Sequence, residues 1–299
     1  MKIKMFILLF FLSVQISTPS WAAEKENHDV GASITGEMQM DDMRGMEAPD
    51  GKPHDLSGRQ VTDIRLRASV VDAKALRVGK VNALVLKLTD DGGSPISLEQ
   101  LKEVHTKKIH LLLADETLTD YQHMHPEQGS QPGTYVTTFV PENATSYKVW
   151  LDVTPVGGNQ QFIPIVLQGK APCAVPCVKK SLSSEGTSGG LAASISFKNK
   201  LKVGVAEMGT LTLKDNEGKP VTNLEPVMGA FAHIVGLYED FETIAHIHPM
   251  GQEPKSDAER GGPELSFHLE PEKAGFLKLY AQVRRGDKDI FIPFGVNIE

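Results

Sequence analysis

Positive charge is in short supply in this 299-residue chain: 31 Lys and Arg stand against 38 Asp and Glu, for a net charge of −7. With no basic excess to track a phosphate backbone, nucleic acid is excluded as a partner, and a cation suits the chain better than an anion. Long apolar runs are missing beyond the first residues. No later stretch approaches the roughly 18 apolar residues of a membrane-spanning helix, which argues against membrane insertion. No phosphate-cradling loop and no paired nucleophile and base can be found, so the expectation is a protein that is not an enzyme. Cysteine is limited to Cys173 and Cys177. Neither stands near the N-terminus, where a lipid would be attached.

What is present begins with a leader. Lys2 and Lys4 precede an apolar run over residues 5–14, and Ser20-Trp21-Ala22 ends in the small residues that a signal peptidase accepts. Residues 1–22 therefore read as a signal peptide, cut after Ala22 or Ala23, with the periplasm as destination. Residues 23–57 are polar, acidic and glycine-containing, with too little apolar periodicity to order themselves. Within this expected tail stand Met38, Met40, Met43 and Met46.

The remainder alternates apolar and polar residues as half-buried strands do. Strands are expected over residues 64–71, 81–88, 108–114, 121–125, 134–140, 147–153 and 162–167. A second set in the same order covers 193–197, 208–213, 231–238, 241–247, 264–268, 276–281 and 290–296. Between them, residues 169–190 are rich in Pro, Gly and Ser and read as a linker. The expected fold is all-β: two tandem antiparallel sandwiches of immunoglobulin type, over 58–168 and 191–299.

The two halves match most closely at histidines. The first reads His110-x12-His123-Met124-His125-Pro126 and the second His233-x12-His246-Ile247-His248-Pro249. Residues two apart on a strand share a face, so each His-x-His pair points one way. If each segment is a hairpin turned about its midpoint, His110 faces His123 directly, and three imidazoles meet on one patch. Two metal sites follow: His110, His123 and His125 in one, His233, His246 and His248 in the other. The competing reading is structural histidines, in tandem sandwiches that serve as an interaction or assembly module of the cell envelope. A cupin or metallohydrolase assignment fails, because the carboxylates those motifs need are not at the required spacing.

Imidazole suits copper and zinc alike, whereas clustered thioethers favour Cu(I). The four tail methionines thus point to copper, as Cu(I) at the tail and Cu(II) at the histidines, with zinc as the second candidate. Cys173 and Cys177 form a C-x3-C pair, either a disulfide stapling the linker or a thiolate copper site. The partners expected are a metal ion and an envelope metalloprotein or transporter.

The run from Leu224 to His233, reading LEPVMGAFAH, and the following His246-Ile247-His248-Pro249 resemble a group of secreted bacterial β-sandwich proteins related to YtkA-like domains. These carry an LEP-x-x-GA-x-x-H…H-x-H-P pattern. The resemblance spans most of the second half. In the first half it keeps Leu98-Glu99 and the histidines, with His110 three residues further on. It implies copper handling by an exported protein.

Overall fold

The alternating stretches become strands because each has one face that water excludes and one that it tolerates. In residues 82–88, Leu84, Leu86 and Leu88 are buried while Ala83 and Lys87 are exposed. Two such sheets placed face to face bury both apolar faces at once. The computed structural model describes residues 64–299 apart from Ala73 and His246. The leader and the methionine-bearing residues 23–57 lie outside the described residues.

The first sandwich contains β1 (Leu66–Val71), β2 (Asn82–Asp90), β3 (Ile109–Asp115), β4 (Tyr121–Met124), β5 (Glu127–Gln128), β6 (Thr134–Phe139), β7 (Tyr147–Val153) and β8 (Gln161–Leu167). Its antiparallel sheets run β1-β2-β6-β5 and β4-β3-β7-β8. The second contains β9 (Glu185–Ser188), β10 (Leu191–Phe197), β11 (Glu207–Asp215), β12 (His233–Tyr238), β13 (Ile244–Ala245), β14 (Ile247–Pro249), β15 (Glu264–Leu269), β16 (Gly275–Arg285) and β17 (Lys288–Ile298). Its sheets run β9-β10-β11-β15-β14 and β13-β12-β16-β17. Apart from β9, the two strand orders are identical, so the sequence repeat is a repeat of topology. The acidic turn after each second strand is also kept. Asp90 Oδ1 accepts from Ser94 N, and Asp215 Oδ1 from Lys219 N, with Gly93 and Gly218 supplying the left-handed backbone.

Strand β9 falls inside the stretch expected to be a linker. Glu185–Ser188 pairs with β10 and adds an edge to the second sandwich. Its Gly and Ser content suited a linker on composition alone, but Gly186 is required by packing. A Cβ there would stand 2.4 Å from the carbonyl oxygen of Pro293.

Each sandwich has its own core, around Leu86, Leu111 and Tyr147 in the first and Leu211, Leu279 and Phe294 in the second. A third cluster joins residues of both, including Leu112, Tyr121 and Trp150 from the first and Leu237 and Tyr280 from the second. The outer face of the β3 sheet therefore packs on the outer face of the β12 sheet. Every residue of β3 is buried, on one side by its own core and on the other by the second sandwich. Tyr121 stacks on Tyr280 at 4.7 Å between ring centroids. The Tyr280 hydroxyl donates to Leu118 O at 2.9 Å, and the nearly buried Lys148 meets Glu242 at 2.5 Å.

The β3–β4 hairpin corrects the expected register. Leu112, not His110, lies opposite His123, and Leu111 lies opposite Met124. The turn is centred one residue later than the midpoint, because Asp115 folds it. Its carboxylate accepts from the backbone N–H groups of Thr117, Thr119 and Asp120. Continued by one step, this register sets His125 across from His110. Parity is unchanged, so all three histidines keep one face, and it is the face that meets the second sandwich.

Candidate metal centre

Strand β3 delivers His110, which is 5 % exposed, and β4 with the residue after it delivers His123 and His125. Each offers one nitrogen to a common point, and the three lie within 4.8 Å of one another. His110 Nδ1 is 3.3 Å from His123 Nε2 and 3.2 Å from His125 Nε2. The fourth neighbour comes from the second sandwich: Met228 Sδ is 3.2 Å from His125 Nε2.

The far side of two rings decides which nitrogens carry protons. His110 Nε2 donates to Val104 O at 2.9 Å, since a carbonyl can only accept. His123 Nδ1 donates to Gln282 Oε1 at 2.8 Å. With those protons on the outside, His110 Nδ1 and His123 Nε2 turn lone pairs toward each other. His125 can place at most one proton among the three converging nitrogens. Lone pairs this close repel unless a cation lies between them, and an outer partner of this kind fixes ring orientation at metal sites. Among the described residues, Gln282 Nε2 is itself buried without a partner. Reversing that amide would send the His123 proton into the cluster, so the amide orientation sets the number of lone pairs available.

Burial and neighbouring groups keep His123, His125 and His233 neutral. Burial, followed by the neighbouring His125 and His110, lowers the His123 pKa to about 3. Burial, then His110 and Lys107, lowers that of His125 to about 4. His233 is held near about 4 by burial and by His105. Neutral imidazole is the form that binds a metal ion.

The second histidine set is arranged differently. His233 starts β12 and donates through Nε2 to Met228 O at 3.0 Å, with its ring 5.1 Å from that of His105. His248 stands in β14, exposed and opposite His268 in the other sheet of that sandwich. The chain changes sheets after Ala245 there, whereas in the first sandwich it stays with β3 through Met124. His233 and His248 are therefore on different sheets, where the sequence led us to expect one patch. His246 lies outside the described residues. So do Met38, Met40, Met43 and Met46. Among the described residues, the first-sandwich histidines form the one cluster of three imidazoles.

Structure also corrects the alignment of the two halves. Lys102 N bonds to Thr154 O, and Glu225 N to Arg284 O, so Leu101 rather than Leu98 is the counterpart of Leu224. Val104–Lys107 and Val227–Ala230 then superpose as the same turn, each closed by two reciprocal backbone bonds. The histidine spacing is thus identical in both halves, and His105 occupies the position of Met228. The sequence reading missed His105 and Gln282 as members of this neighbourhood. Aligning LKEVHTKKIH on LEPVMGAFAH would have exposed the first. A cleft lined by His105, Met228, Gly229, Phe231, His248 and Met250 shares Met228 with the site.

Cys173 and Cys177 are joined in a disulfide, Cα atoms 5.4 Å apart, with Glu116 beside them. As placed, neither sulfur is a thiolate ligand.

A family described as "Domain of unknown function (DUF8832)" matches residues 61–171 and again 187–299. No curated protein matches the chain. Among solved structures, the D00-D0 domain of intimin is similar at 12 % identity, over 79 % of this chain and 100 % of that one, with a TM-score of 0.24. Domains 4 and 5 of the S-layer protein SbsC are similar at 13 % identity, over 79 % and 98 %, with a TM-score of 0.22. Scores this low carry no function across.

Proposed function

We propose, for a chain that belongs to the DUF8832 family in both of its halves, the binding of a transition-metal ion by an exported protein that performs no catalysis itself. The ion is cargo, held by His110, His123 and His125, and copper is the ion we assign. The observation that carries this reading is the convergence of three imidazole nitrogens within 4.8 Å, two of them bearing lone pairs because each ring holds its proton on the outer nitrogen. Nitrogen ligands close to about 2.0–2.1 Å on such ions, which small rotamer changes in three converging rings allow. Copper is supported over zinc by the thioether at the cluster and by the methionines of residues 23–57. The likeness of the second half to YtkA-related sandwich proteins supports it as well. The leader supports export to the periplasm, where an envelope metalloprotein or transporter would receive the ion.

The test is metal content. Full-length protein isolated from the periplasm without an affinity tag is expected to carry copper at the first-sandwich site, and the His123→Ala variant to lose it. Equal metal in both proteins, or none in either after incubation with copper, would leave the histidines structural and favour the envelope interaction module instead.

A further inference from the structure

We infer that Met228 is the fourth ligand, reached across from the second sandwich, so that the metal centre is a three-imidazole, one-thioether set completed only when the two sandwiches are docked. This rests on the reading above and specifies the ion it favours. Four observations carry it. Met228 Sδ already lies 3.2 Å from His125 Nε2, and Met228 is 8 % exposed, so the thioether is aimed at the cluster and shielded from water. The backbone at Met228 is left-handed, with φ of 51°, a conformation that favours Gly or Asn and is costly for a long side chain. The following Gly229 is left-handed too, with φ of 78°. A methionine at a strained position, beside converging lone pairs, is explained by what its sulfur touches.

The fourth observation is the counterpart turn. His105 holds the equivalent position in the first sandwich, again with a left-handed backbone (φ of 49°), and its ring lies 5.1 Å from His233 of the second. Each sandwich thus lends the residue of this turn to a histidine of the other, Met228 to His125 and His105 to His233. Both lent residues, His and Met, are metal-ligand types. The difference between them gives the first-sandwich site a soft donor, and a soft thioether with three imidazoles suits Cu(I) over Zn(II).

The experiment uses the full-length chain with Met38, Met40, Met43 and Met46 replaced by Leu, so that the N-terminal thioethers do not compete. In that background, Met228→Leu and His123→Ala are each compared by competition titration with Cu(I) and, separately, with Zn(II). Met-to-Leu is close to volume-conserving, and an unchanged unfolding midpoint of the metal-free variant verifies the packing. The expected result is a Cu(I) affinity at least about tenfold weaker in Met228→Leu, with Zn(II) affinity within about threefold of the parent. Unchanged Cu(I) affinity in Met228→Leu, with loss in His123→Ala, would overturn the thioether ligand and leave the histidine site standing. Cu(I) and Zn(II) binding equally weak in the parent and in His123→Ala would overturn both.

Discussion

Single atoms decide the chemistry of this site. The Gln282 oxygen holds a proton on the outer nitrogen of His123, and the inner nitrogen is then free to bind metal. Gln282→Leu removes that acceptor and is expected to weaken metal binding by about tenfold to a hundredfold. Gln282→Glu keeps an acceptor and is expected to preserve binding. Zinc titration of both variants checks this, and equal loss in the two would contradict a tautomer-setting role. The depressed imidazole pKa values also have a consequence for the metal-free protein. His123, His125 and His233 titrate at about 3, 4 and 4 when folded, below the ordinary value of about 6.5 in the unfolded chain. Between those limits the unfolded chain binds more protons, so stability is full above about pH 6.5 and falls as the pH drops toward 4. The slope is at most about 1.4 kcal/mol per pH unit for each of these groups, because the unfolded chain takes up a proton there that the folded one refuses. Urea unfolding at pH 7, 6 and 5 measures it, and His123→Leu should flatten the curve.

At the scale of elements, the hairpins and their turns place the histidines. The strands were legible because alternation survives wherever one face is wet: β2, β10 and β11 lie within two residues of their expected ends. The His-x-His parity was legible for the same reason. What went unread was the second burial of β3 and β7. Their near-continuous apolar residues, Ile-His-Leu-Leu-Leu-Ala and Tyr-Lys-Val-Trp-Leu, signalled strands covered on both faces. The one-residue register shift was hidden too, because it depends on the hydrogen bonds of Asp115 and not on the distance between histidines. The docked face lends itself to a direct test. Tyr280→Ala removes the stack on Tyr121 and the bond to Leu118 O, and should cost about 3–5 kcal/mol. It should also weaken metal binding, since Gln282 shares its strand. Equilibrium unfolding and a metal titration on the same sample read both effects. A destabilised variant with full metal affinity would show that docking and binding are independent.

Across the whole molecule, a duplicated domain has diverged in where it places its histidines. The repeat was visible in sequence, and so was the family of histidines, but the roles of the copies were not. The second set keeps the same spacing, yet β14 carries His248 to the opposite sheet, while His110, His123 and His125 stay together on β3, on β4 and just beyond it. Divergence after duplication alters where a strand changes sheets, a property set by packing and not by motif. The methionines of residues 23–57 add a prediction at this scale. Deleting residues 23–57 should change the unfolding free energy of the sandwiches by less than about 0.5 kcal/mol, because that sequence has little apolar periodicity. It should weaken Cu(I) binding and spare Cu(II). Competition titrations on the two chains compare them, and equal Cu(I) affinities would remove the four methionines from the account.

The central claim is that a metal ion is held by His110, His123 and His125. The most direct measurement is anomalous diffraction at the copper edge from crystals of copper-loaded full-length protein. The account predicts an anomalous peak within bonding distance of His110 Nδ1, His123 Nε2 and His125 Nε2. Copper-loaded crystals in which these three rings stand around no peak, while copper is found elsewhere or nowhere, would contradict it.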